Sequence, residues 1–132
     1  MRALHFGIAV WGKSYLSTFL RLALPSFLAS GNIPACSRIS NVKFTIVTRP
    51  QDVPLLENSP VWNVLTEFAE VEVKPFLTPD MFDGNRYTVM ARAHALLIKE
   101  SLRCGAILSI LSPDCIVSDG SLSFALLPMI FV

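Results

Sequence analysis

The run Leu4–Val10, LHFGIAV, constrains this chain more than any other stretch. It is a nearly continuous apolar segment of strand length, closed by Trp11-Gly12, rather than an alternation of apolar and polar residues. A strand of that kind is covered on both faces, which is the condition of strands in parallel sheets flanked by helices. Comparable strands are expected at Val42–Val47 and Ala106–Leu111, with a shorter alternating one at Val71–Phe76.

Helical signals fill the gaps between these runs. Ser14 opens YLSTFLRLALPSFLAS, where Leu16, Phe19, Leu20, Ala23 and Leu24 recur on one helical face; Pro25 is expected to kink or end it, and Ser30-Gly31-Asn32 to stop it. A proline-bearing loop then leads to the second strand. DVPLLENSPVWNVLTEFAEV reads as helix in two pieces, capped by Asp52 and by Ser59 ahead of Pro60. Turn signals at Thr78-Pro79-Asp80 and Asp83-Gly84-Asn85 precede a long helix from Tyr87 to Arg103, closed by Gly105, and a last helix begins near Ser121. Strands alternating with helices predict an α/β fold with a mostly parallel sheet and helices on both faces. Residues 1–132 read as a single domain, incomplete at its C-terminus because the chain runs out in the apolar helix FALLPMIFV.

Composition narrows the partners. Hydrophobic residues make up 52% and charged residues 16%, so the chain is ordered and rich in core, with apolar surface left over for self-association. A net charge of +1, with no basic run interleaved with aromatics, gives no reason to expect nucleic acid. Cys36, Cys104 and Cys115 form no C-x-x-C pair, and neither histidine has a ligand at helical or hairpin spacing, which speaks against zinc and redox chemistry. FALLPMIFV is shorter than the roughly 20 apolar residues of a membrane span, and His5, Gly12 and Lys13 break the N-terminal run that a signal peptide would need. The expectation is a cytoplasmic, unanchored protein.

In open parallel sheets ligands bind at the carboxyl ends of the strands. The expected tips are Val10-Trp11-Gly12-Lys13, Thr48-Arg49-Pro50-Gln51-Asp52 and Ser112-Pro113-Asp114. Together they offer an aromatic plate, two cations and carboxylates, an assortment suited to a nucleotide sugar. No G-x-G-x-x-G or Walker-type loop is present. Each position has a plainer use: Asp114 after Pro113 suits a turn, Asp119-Gly120 more so, and Trp11 suits a plug at the end of a core. Asp119 or Ser121 is expected to cap the last helix. Arg49, Arg86 and Arg92 suit solvated or salt-bridged cations, and His94 a half-buried helix histidine.

The set VWG–K–Y after the first strand, Thr48-Arg49 after the second, RY-x3-AR-x-H opening the long helix, and LSPD-x-x-x-SDGSL after the last strand resembles bacterial GT-A-type glycosyltransferases. The resemblance spans nearly the whole chain but only the nucleotide-binding first half of such an enzyme. It implies a Rossmann-like fold and a nucleotide-sugar donor held by Val10, Trp11, Gly12, Thr48, Arg49, Arg86, Tyr87, Arg92, Ser112, Pro113 and Asp114. It implies further a Mg²⁺ or Mn²⁺ ion on Asp114, at the second position of an Asp-x-Asp pattern whose first position is Ser112 here. The acceptor is unknown and no catalytic base is assigned, since the half that would carry it is not in the chain. The other expectation is a non-catalytic α/β module that associates through its apolar surface.

Overall fold

The computed structural model describes residues 2–75 and 85–131. Four strands, β1 (Leu4–Ala9), β2 (Val42–Val47), β3 (Glu70–Lys74) and β4 (Ile107–Ile110), form one sheet in the order β3-β2-β1-β4. Every pairing is parallel, with Leu4 opposite both Val42 and Ile107, and Lys43 opposite Glu70. The expected α/β fold with helices on both faces is present and Rossmann-like. The chain steps outward from β1 to β2 to β3, then returns to place β4 on the other side of β1. The reversal lies between β1 and β4, and it positions the site described below.

Strand residues alternate between two cores of unequal size. Leu4, Phe6 and Ile8 of β1 join Phe44 and Ile46 of β2 in the larger core, whose other wall is α1 (Lys13–Thr18), α2 (Leu24–Phe27), α3 (Ile33–Ile39) and α5 (Pro60–Phe68). Just ahead of α5 in the chain, α4 (Val53–Glu57) adds Leu56. The opposite face is covered by α6 (Arg86–Cys104), which buries Val89, Ala93 and Leu97 against Ala9 and Val47. Burying a side chain such as Phe6 or Phe44 contributes about 1.5–3 kcal/mol, so the first core carries most of the fold. The last helix, α7 (Ser121–Leu126), runs on as a 3-10 segment over Leu127–Phe131 and closes that core with Leu122, Leu126 and Ile130.

Several local expectations need correction. The helix expected to be kinked or ended at Pro25 does not end there: a π turn over Phe19–Ala23 joins α1 to α2, with the Leu24 amide donating to the Phe19 carbonyl. The wider turn relieves the clash that the proline ring would make with the carbonyl four residues back. The expected loop before β2 contains α3, begun by Pro34 in its first turn. Asp52 and Ser59 occupy N-cap positions without capping through their side chains. The turn signals at Thr78–Gly84 and the end of the third strand at Phe76 lie outside the described residues.

Asp119 is not a helix cap either. Gly120, at φ 89°, is the N-cap of α7, while Asp119 Oδ1 accepts the Gly31 amide at 2.7 Å. Beside it the buried Asn32 donates through Nδ2 to the carbonyls of Ser26 (2.8 Å) and Ser118 (3.1 Å) and accepts the Leu122 amide at 3.0 Å. These bonds stitch the segment after β4 to the turn before α3. The two backbones approach so closely that a Cβ on Gly31 would lie 2.8 Å from Gly120 Cα. Gly31→Ala is therefore expected to lower stability by about 1–3 kcal/mol, the usual range for overpacking against backbone. An unchanged urea midpoint would show that the approach is not needed.

Candidate functional site

A cavity of about 460 Å³ opens at the carboxyl ends of β1 and β4, where the strand order reverses. β1 delivers Ala9, Val10 and Trp11 to it, and the segment after β4 delivers Ser112, Pro113 and Asp114. The start of α6 adds Arg86, Tyr87 and, one turn on, Met90 from the side, and α1 adds Tyr15. Asn85 caps α6 by accepting the Tyr87 amide at 2.8 Å, which sets Arg86 and Tyr87 at the helix entrance. Gly12 follows at φ 90°, a conformation that turns the chain sharply from β1 into α1 and that other residues avoid.

The polar groups of the cavity are few and arranged in two sets. The Arg86 guanidinium lies over the Tyr87 ring, 5.5 Å from its centroid. The Tyr87 hydroxyl, and after it that of Tyr15, push the Arg86 pKa further up, so its charge is fixed. In the second set the Ser112 hydroxyl donates to Asp114 Oδ1 at 2.6 Å. The Cys115 thiol lies 3.9 Å from the same oxygen.

Not all of the residues expected at the ligand share this space. Arg49 stands at the tip of β2 but does not line the cavity: its Nε donates to Asp52 Oδ2 at 2.8 Å and a terminal nitrogen to Oδ1 at 3.2 Å. Asp52 Oδ2 also accepts the Gly12 amide at 2.9 Å, so one buried carboxylate ties the exits of β1 and β2 together. Gly12 serves that clamp rather than the cavity wall. Thr48 is fully buried, its amide donating to the Lys74 carbonyl at 3.0 Å. Arg92 is exposed farther along α6 and outside the lining. Conversely, Ala9, Tyr15 and Met90 line the cavity although the sequence does not single them out there. The signal for Tyr15 was its place in the VWG–K–Y pattern.

A divalent cation at Asp114 was expected from the resemblance. Hard cations of this type take six or more oxygen ligands. The cavity lining supplies one carboxylate, and one of its oxygens is occupied by Ser112. Among the described residues no group of three or more His, Cys, Asp or Glu is placed to hold a metal. These residues do not fit a resident cation. No described helix is long and apolar enough to cross a membrane.

No protein-family model, curated protein or solved structure matches the chain.

A second polar cluster lies under α6, away from the cavity. His5, buried in β1, is held between the hydroxyls of Ser101 and Thr45, the latter at 2.7 Å from Nε2. Lys43 bridges Glu72 at 2.8 Å and Glu100 at 3.5 Å. Glu100 is held down to about 2, first by its hydrogen bond from Arg103. These groups link α6 to β1, β2 and β3 and pair with one another.

Proposed function

We propose that the chain binds a nucleotide-diphosphate sugar, as the donor-binding portion of a cytoplasmic glycosyltransferase. The observation that carries this reading is a coincidence of place and chemistry. The cavity lies at the switch point of a parallel sheet, and it combines aromatic walls, one guanidinium and one carboxylate. Trp11, Tyr15 and Tyr87 suit a base or a sugar ring, Arg86 suits phosphate oxygens, and Asp114 suits hydroxyl groups. In a complete enzyme, attack of an acceptor hydroxyl on the anomeric carbon would release the nucleotide diphosphate. No described residue is assigned to the acceptor or to its activating base.

Tryptophan fluorescence tests the reading directly. Trp62 is buried in the large core and Trp11 lines the cavity, so the two emissions respond differently. UDP-, GDP- or dTDP-sugars are expected to change Trp11 emission saturably and to raise the melting temperature. At a ligand concentration about 100 times Kd the stabilisation should be about 2.7 kcal/mol. Trp11→Phe should abolish the optical change while Trp62 emission persists. A folded sample that shows neither response to any of these donors would overturn the proposal.

One observation favours a second reading, a module that associates with itself. Phe124 and Phe131 are 86% and 70% exposed on the consecutive helical segments that end the described chain. Sedimentation velocity over a wide concentration range decides it: a monomer throughout excludes that role.

A further inference from the structure

We propose that the cavity holds the diphosphate of its ligand on Arg86 without a divalent cation, and that the Ser112–Asp114 pair reads a ligand hydroxyl instead of a metal. This rests on the donor-site reading above and adds to it how charge is balanced there.

A diphosphate diester brings two negative charges that something must meet. Arg86 is the cation in the described lining, since Arg49 is spent on Asp52. No carboxylate among the described residues pairs with Arg86, and its planar fork suits two phosphate oxygens at once. Tyr15 and Tyr87 flank it and add hydroxyl donors for the same oxygens.

The Ser112–Asp114 pair is built for a different partner. Ser112 has committed its proton to Asp114 Oδ1, so what remains is Asp114 Oδ2 and the lone pairs of Ser112 Oγ. All of these are acceptors. Acceptors facing a cavity call for donors, and a sugar ring offers them as hydroxyl groups. A cation held by both Asp114 oxygens would have to displace the 2.6 Å hydrogen bond on Oδ1, and one held by Oδ2 alone would gain only a neutral hydroxyl beside it where a second carboxylate would stabilise it. Asp114 also repels the diphosphate, which places the phosphates at the Arg86 end and the hydroxyl-bearing ring at the Asp114 end.

Calorimetric titration of the full chain with UDP-glucose, GDP-mannose and dTDP-glucose, in EDTA and in MnCl₂, tests the proposal. The Kd is expected to agree between the two conditions within about twofold, and Arg86→Ala to weaken binding by about tenfold or more, the loss of a charge-assisted pair. Ser112→Asp should make binding about tenfold tighter in MnCl₂ than in EDTA by supplying the second carboxylate. Both positions are exposed at the surface, and circular dichroism checks that each variant folds. Binding of the parent chain in MnCl₂ alone overturns the metal-free assignment and leaves the donor site standing. Unaltered affinity in Arg86→Ala overturns the role of that residue. Absence of binding in either buffer overturns the donor site itself.

Discussion

Arg49→Met is expected to lower the unfolding free energy by about 3 kcal/mol, because it leaves the buried Asp52 carboxylate without its cation. The Asp52 side chain is 5% exposed and that of Arg49 28%, so the pair sits at the low end of the cost for breaking a buried ion pair. Burial by itself would raise the Asp52 pKa; the Arg49 hydrogen bonds and the Gly12 amide outweigh it and hold the carboxyl below its ordinary value. A carboxyl whose pKa is depressed on folding contributes stability above its unfolded value, about 3.9, and loses it as pH falls through the folded value. The difference between Arg49→Met and the parent chain should therefore be full at neutral pH and shrink in acid. Urea unfolding at neutral pH and below the ordinary carboxyl range measures both. A variant as stable as the parent at neutral pH would show that the clamp contributes nothing. The same experiment separates structure from binding, since Arg49→Met, once folded, should bind nucleotide sugars like the parent.

His5→Leu is expected to cost about 2–6 kcal/mol, since the hydroxyls of Ser101 and Thr45 lose their buried partner at about 1–3 kcal/mol each. The variant has a second, more specific signature. Burial, reinforced by the nearby Lys43, lowers the His5 pKa below its ordinary value despite the opposing Glu100 and Glu72. In that case the unfolded chain binds the proton more readily than the folded one, so stability rises with pH across the interval between the two values. His5 thus supports the fold fully above the unfolded value of about 6.5, and that support fades as pH falls toward the folded value. Glu100 does not confuse the measurement, being held down to about 2. Thermal melts between about pH 8 and pH 5 should slope downward toward acid in the parent and less so in His5→Leu. Equal slopes would locate the acid sensitivity elsewhere.

How far the sequence could be read varies with the range of the forces involved. β2 falls where its β-branched run predicts it, and Gly105 at φ 65° ends α6 as a glycine after a helix should. α3 is hidden in the sequence because Pro34 suits a loop, although a proline in a first turn is also a helix start. Asp52 and Asp119 have the composition of caps and the partners of staples: their hydrogen bonds reach residues 40 and 88 positions away. His5 looked like an interruption of an apolar strand, and its partners lie 96 and 40 positions away. No local pattern encodes such pairings.

The candidate site divides along the same line. Val10, Trp11, Ser112, Pro113 and Asp114 were legible because strand tips follow from strand ends. Arg86 and Tyr87 came from the helix start, and Asn85 caps it as an asparagine there should. Arg49 had the right residue type at a strand tip, yet its charge is spent three residues away on Asp52.

Local chemistry in the amino-acid order was enough to specify an α/β chain with buried parallel strands, because apolar runs, caps and glycine conformations act over a few residues. Tertiary structure alone decided that β4 lies beside β1, and hence where the sheet reverses and the cavity opens. It also decided which charged tips remain available to a ligand, because whether a cation is spent depends on which carboxylate the folded backbone brings within hydrogen-bonding distance.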